Sequence, residues 1–312
     1  MTFLEYINGL LRKEIAKAKN LAIFGQNIAA GSYLGGLTKG LKVGAGSRII
    51  NSTNAENSLV GLGFGAALTG ANAFFFMRQI DFLLLTADQL VNTYNIIRNR
   101  KEPLRGSFTI FTTAIDQGYE GPQSSLNNFS DFASLARIPI YAVNNEYDAK
   151  QIIKSELVAP GFRIIAVSTR YMRQALQSPK QILYESSDLT TFQYEKGSDV
   201  TIVCFNFSYP LGVSLVTALG AKGLRASFFN VNAFVSVDWS KIITDIIRTK
   251  KLVVIDDSKS VNAPYFSLLA AVESVVPLKK KVIITRTLDS DWLVPNPDSL
   301  EINNARIIKK LL

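Results

Sequence analysis

Apolar and polar positions alternate along this chain in two periods, one fitting helices and the other buried strands. Leu4, Ile7, Leu10, Leu11 and Ile15 recur at helical spacing and predict a first helix over residues 3–20. LAIFGQN and GSRIINS follow as short strands, and AENSLVGLGFGAALTGA as a helix rich in small residues. ANAFFFMRQ predicts a strand, IDFLLLTADQLVNTYNIIRN one long helix and SFTIFTTAI another strand. After the polar loop DQGYEGPQSSLNN come a helix (FSDFASLA), a strand (IPIYAV), a helix (EYDAKQIIKSEL) and a strand (RIIAVST). The polar segment 184–198 interrupts the pattern, which then restarts with DVTIVCFNF, ASFFNVNAF, KLVVIDD and KVIITRT as strands between helices.

Strands that alternate with helices predict parallel sheets covered on both faces. The expected fold class is α/β, with two open, mostly parallel sheets and helices on both faces. The expected division is residues 1–190 and 191–312. Four glycines, 61, 63, 65 and 70, fall on or beside the predicted second helix. Each costs about 1 kcal/mol of helix propensity relative to Ala, which predicts close contact there.

Composition narrows the function classes. With 47% apolar and 19% charged residues among 312, the chain is a globular protein with a large core. The net charge of +9 raises nucleic acid as a partner, but the basic residues are scattered and the tightest group is Lys279–Lys281, so none is expected. The uncharged stretch from Ser58 to Met77 has the length of a membrane span, but its Gly, Ala and Asn content favours a buried helix and strand. Cys204 lies in an apolar run and reads as a core residue. The N-terminus is amphipathic without a signal-peptide core, and a cytoplasmic location is expected. The chain has no histidine, which removes His-based triads and His-ligated metals. Proton chemistry must then use carboxylates, a cofactor or a partner chain.

No phosphate-cradling turn is present: Gly61-Leu-Gly63-Phe-Gly65 does not satisfy the dinucleotide fingerprint, and no P-loop lysine follows a glycine-rich turn. The order of segments nevertheless resembles one family. SRIINSTNAENSLVGLGFGAALTGA, IDFLLLTADQLVN, GSDVTIVCFNF, KLVVIDD and DWLVPNPDSLE together resemble the beta subunits of 2-oxoacid dehydrogenase decarboxylase components and, more distantly, the C-terminal halves of transketolases. The resemblance covers roughly nine-tenths of the chain.

That resemblance implies thiamine diphosphate as cofactor, with this chain supplying the pyrimidine-binding side. Glu56 matches the glutamate that hydrogen-bonds an aminopyrimidine ring nitrogen and so activates the cofactor; read alone, it is a helix-start carboxylate favoured by the helix dipole. Phe82, 26 positions later, matches an aromatic ring that stacks on the pyrimidine. Asn54 matches a position that touches the ring, and Arg78 is a candidate for a substrate or phosphate contact. In the loop where the family carries a His-Ser pair, this chain has Gln123 and Ser124, with Ser124 in place of the histidine. A serine cannot serve as acid or base near pH 7, which points away from lipoyl acylation. The resemblance also implies that a separate alpha subunit holds the diphosphate and Mg2+, in an alpha2-beta2 assembly acting on a ketone, sugar or 2-oxoacid. The expected reaction is transfer of a two-carbon or acyl unit to a sugar or secondary-metabolite acceptor. The alternatives are a 2-oxoacid dehydrogenase with an altered loop, or a non-catalytic homologue.

Overall fold

A computed structural model describes residues 1–100, 104–116, 126–286 and 300–312. In chain order the first half holds α1 (Phe3–Lys17), β1 (Leu21–Gly25), β2 (Arg48–Asn51), α2 (Glu56–Leu68), β3 (Asn72–Phe76) and α3 (Tyr94–Arg98). It continues with β4 (Ser107–Ala114), α4 (Phe129–Ala136), β5 (Ile140–Val143), α5 (Glu146–Glu156), β6 (Gly161–Ser168) and α6 (Thr169–Met172). The second half holds β7 (Tyr184–Glu185), β8 (Thr191–Glu195), β9 (Val200–Phe205), α7 (Tyr209–Gly220), β10 (Ala226–Val231) and α8 (Ser240–Thr249). It ends with β11 (Lys251–Asp256), α9 (Tyr265–Glu273), β12 (Lys280–Thr285) and α10 (Asn304–Leu311).

The strands form two six-stranded sheets, ordered β2-β1-β3-β4-β6-β5 and β12-β11-β9-β10-β8-β7. All pairings in the first are parallel. The second is parallel except where β8 pairs antiparallel with β10 and with β7. Every residue of β4 and of β9 is buried, as central strands covered on both faces require. The expected α/β class with two mostly parallel sheets is what the molecule has.

Several elements differ from their sequence pattern. The polar stretch 184–198 contributes β7 and β8 to the second sheet. The single long helix expected over 80–99 is broken into a 3₁₀ stretch (Ile80–Thr86), one π turn (Gln89–Thr93) and α3. Ile80, Leu83 and Thr86 are buried at three-residue spacing, which suits the tighter 3₁₀ turn, and the Thr86 hydroxyl donates to the Leu83 carbonyl at 2.9 Å. α10 was not among the expected elements; Ile307, Ile308 and Leu311 seat it on the second half. The uncharged stretch 58–77 divides between α2 and β3, and among the described residues no helix is long and apolar enough to cross a membrane.

The two halves share one apolar cluster running from Phe3, Ile7 and Ile152 to Phe192, Ile202 and Leu215. They also share polar contacts. The fully buried Asp148, on α5, accepts hydrogen bonds from Asn145 (2.7 Å), from Asn230 and Asn232 beyond the division (2.8 Å each), and from the Tyr194 hydroxyl. Of the four glycines on or beside α2, Gly63 makes the close approach that its type predicts: a Cβ there would lie 2.3 Å from the Phe108 ring. Gly70 has φ of +88°, a left-handed residue just past the helix end. Gly61 would meet only ordinary contacts and Gly65 faces open space, so the expectation fails at these two.

Candidate functional site

In an open parallel sheet, ligands bind beyond the carboxyl ends of the strands, where successive connections leave in opposite directions. In the first sheet that point lies between β1 and β3: the chain passes from β1 out to β2, then back across to β3. A cleft of about 440 Å³ opens there, within the size range of small-molecule sites. Its lining includes Gln26 and Asn27 after β1, Arg78 after β3, Thr113 and Ile115 at the end of β4, and Thr169 and Met172 after β6. Ser32, Leu34 and Gly35, in the loop between β1 and β2, also line it.

Local backbone chemistry builds this shape. Gly25 ends β1 where a Cβ would lie 2.4 Å from the Phe76 carbonyl oxygen, so β1 and β3 close up only because no side chain intervenes. Tyr33, Leu34, Gly35 and Gly36 all have positive φ. Two of these are not glycine, and such strain is concentrated where a fold holds a binding surface in place. Asn51, the last residue of β2, accepts backbone N–H donors from Ile28 (3.0 Å) and Ala29 (2.9 Å), tying the β1 loop to the segment that leads into α2. The Thr113 hydroxyl donates to the Arg78 carbonyl at 2.6 Å and fixes the backbone there. Among the described lining residues Arg78 is the one charged side chain, and its guanidinium has no ion pair among the described residues.

Glu56 opens α2 on the same edge of the sheet, one connection away from the cleft. Its residue exposure is 8%, and its carboxylate has no hydrogen-bond or ion-pair partner among the described residues. The side chain is mostly buried, but its carboxylate oxygens are not sealed from solvent. Oxygens held in place, open to solvent and without a protein partner are available to a ligand. Phe82 is half-buried in the 3₁₀ stretch, which packs against α2. Next to it, Asp81 accepts the backbone N–H of Leu126 at 3.1 Å. Asn54 is exposed in the loop before α2.

The structure thus brings Arg78 into the cleft and puts Glu56 and Phe82 on two elements packed together beside it. It does not make Glu56, Phe82 or Asn54 part of the cleft lining. Gln123 and Ser124 lie outside the described residues. Sequence reasoning missed Gln26, Asn27, Thr113, Thr169 and Met172. Their signal was positional, since each lies at or just past the end of a predicted parallel strand. Cys204 is fully buried, and burial pushes its thiol up to about 12, so it is no nucleophile. Among the described residues no group of three or more acidic or thiol side chains is placed to hold a metal ion.

No family model matches the chain. The chain is 24% identical to the pyruvate dehydrogenase E1 component subunit beta of Cyanidium caldarium, over 96% of this chain and 93% of that one. It is 22% identical to the subunit of the same name from Acholeplasma laidlawii, over 95% and 91%. Among solved structures, a split-gene transketolase described as an inactive beta4 tetramer superposes with a TM-score of 0.70 at 14% identity, covering 100% of this chain and 97% of that one. A transketolase from Campylobacter jejuni subsp. jejuni superposes with a TM-score of 0.68 at 10% identity, covering 92% of this chain and 42% of that longer one. The fold is that of these transketolase chains, and the sequence is related along nearly its whole length to E1 beta subunits.

Proposed function

We propose that this relative of the E1 beta subunits is the pyrimidine-binding beta subunit of a thiamine-diphosphate-dependent enzyme, completed by a separate alpha subunit. The observation that carries the reading is Glu56: a mostly buried residue whose carboxylate has no protein partner and stays open to solvent, starting a helix at the carboxyl edge of a parallel sheet, beside the segment that bears Phe82. Residues 1–190 would form the pyrimidine-binding unit and 191–312 the transketolase C-terminal-like unit, with the short β7 (Tyr184–Glu185) lent across the division to the second sheet.

When bound, thiamine diphosphate supplies an electron sink for bond cleavage next to a carbonyl. Toward it, Glu56 would share a proton with an aminopyrimidine ring nitrogen, Phe82 would stack on the ring face, and Asn54 would border the ring edge. Arg78 would pair with a carboxylate or phosphate of the substrate in the adjoining cleft. The diphosphate and Mg2+ are assigned to the alpha subunit, because this chain has no glycine-rich phosphate turn and its described residues include no cluster of carboxylates for a cation. Relatedness to E1 beta subunits supports an alpha2-beta2 assembly, in which the beta chain alone would be inactive.

We read the reaction as transfer of a two-carbon or acyl unit to a sugar or secondary-metabolite acceptor, because Ser124 cannot do a histidine's work. A second reading, a 2-oxoacid dehydrogenase or decarboxylase with an altered loop, is favoured by the E1 beta relatives themselves. The test is reconstitution with the alpha partner. Glu56→Gln should abolish thiamine-diphosphate-dependent turnover while the complex still assembles; full activity in that variant would refute the assignment. Reductive acylation of a lipoyl domain by the wild-type complex separates the second reading from the first.

A further inference from the structure

The wall of the cleft that carries Thr169 and Met172 is α6, a single turn. One turn cannot hold itself in water, so its position must come from tertiary contacts. Two of those contacts reach into the second half of the chain. The Arg170 guanidinium forks between two fully buried carboxylates: Nε pairs with Asp116 at 2.8 Å, and Nη2 pairs with Asp257, just past β11. The Tyr171 hydroxyl donates to the Phe207 carbonyl at 2.9 Å.

Asp257 is itself fixed. Its other oxygen accepts from the Phe207 backbone N–H at 2.9 Å and from the Asn206 amide at 3.0 Å, so the carboxylate is pinned at the carboxyl ends of β9 and β11. Asp116 is held within the first half by the Ser168 hydroxyl (2.7 and 2.8 Å) and the Arg170 backbone N–H (3.2 Å). The Thr169 hydroxyl, at the cleft, donates to the Ala114 carbonyl at 2.9 Å and accepts the Asp116 N–H at 3.2 Å. Register therefore passes from β11 through Asp257 and Arg170 to Thr169 and Met172. The corresponding point of the second sheet, between β9 and β11, is occupied by this contact with the first half.

We propose that Asp257 is a positioning residue for the cleft, acting through Arg170 on Thr169 and Met172, so that the second half of the chain sets the substrate-binding wall of the first. The proposal rests on the reading of the cleft as the substrate site. Lysine could not replace Arg170, because a single ammonium cannot bridge two carboxylates approached by different nitrogens of a planar fork.

The test has two arms. In the first, a nitroxide is attached at Arg173→Cys, an exposed position beside α6; Cys204 is buried and stays unlabelled. Asp257→Asn and, independently, the uncharged change Tyr171→Phe should each loosen the label in the full-length chain. In the second, the reconstituted complex carrying Asp257→Asn or Tyr171→Phe should lose roughly tenfold in kcat/KM through KM, with kcat and cofactor affinity nearly unchanged and partial recovery in Asp257→Glu. If Asp257→Asn fails to fold, Asp257→Glu, which keeps the charge but shifts the carboxylate, still decides by an intermediate loosening of the label and an intermediate rise in KM. A label that stays immobile, or a KM that does not move in folded complexes, overturns the proposal. Absence of thiamine-diphosphate-dependent turnover in the wild-type complex would instead sink the functional reading, with the label arm still testing the tether.

Discussion

Asn51 holds the loop that begins at Ile28: its side-chain oxygen takes the N–H groups of both Ile28 and Ala29, although the residues lie on different connections of the sheet. One wall of the cleft and the approach to Glu56 are thereby fastened to each other. Asn51→Ala removes both bonds. Net hydrogen-bond contributions of roughly 0.5–1.5 kcal/mol each predict a total loss of about 1–3 kcal/mol. Urea unfolding of the isolated chain measures it. In the reconstituted complex the same change should weaken cofactor and substrate together, which a fault on one side of the site alone would not do.

Gly63 and Gly65 sit two positions apart on α2 and should respond in opposite directions to alanine. At Gly63 the new methyl group would lie 2.3 Å from the ring of Phe108, which Phe64 and Phe162 enclose at centroid distances of 5.2 and 5.0 Å. Overpacking of this kind costs about 1–3 kcal/mol. At Gly65 nothing lies within 4 Å, so the helix-propensity gain, up to about 1 kcal/mol, is unopposed. Thermal unfolding of the two variants should bracket the wild type; a stabilised Gly63→Ala would contradict the packing described.

These particulars show what the sequence carried and where it stopped. Two mostly parallel sheets followed from the alternation of strands and helices, because a strand buried on both faces is largely apolar, as β9 is; β4, with Ser107, Thr109, Thr112 and Thr113 all buried, shows that small hydroxyl side chains are also accepted there. Glu56 and Phe82 could be named only through a resemblance, since a helix-start carboxylate and a core phenylalanine look ordinary in isolation. The break in the helix expected over 80–99 was hidden, because three-residue burial of Ile80, Leu83 and Thr86 differs little from a helical stripe over so short a run. The lining residues Thr113 and Thr169 were also hidden. Their role depends on which strands neighbour one another, and the order β1-β3-β4-β6 is a property of crossovers.

Asp148 predicts a pH dependence of folding. Its carboxyl is pushed up from 3.8 to about 6, first by burial, against the opposing hydrogen bonds from Tyr194, Asn232, Asn230 and Asn145. The folded state therefore holds this proton more tightly than the unfolded chain does. The stabilisation linked to it is complete below about pH 4 and is lost as pH rises through about 6. At 1.36 kcal/mol per unit the change amounts to about 3 kcal/mol. Asp148→Asn cannot lose a proton, so its stability relative to wild type should rise between pH 4 and 6.5. Denaturant midpoints of both proteins across that range measure the difference, and parallel curves would exclude Asp148 as the source.

Arg78 places a positive charge on a cleft whose other described lining residues are uncharged. If it pairs with the substrate's anionic group, Arg78→Gln in the reconstituted complex should raise KM for anionic substrates by one to two orders of magnitude, in line with the roughly 1.5–3 kcal/mol of a hydrogen bond to a charged group. Thiamine-diphosphate affinity should be little changed, because the diphosphate is assigned to the alpha subunit. The comparison of Arg78→Gln with Arg78→Lys adds geometry to charge. Recovery in the lysine variant would mean that charge alone suffices, whereas continued loss would point to a two-pronged contact with a carboxylate or phosphate. A cofactor affinity that falls in step with substrate binding would move Arg78 from the substrate to the cofactor, and the division of the site between two chains would need redrawing.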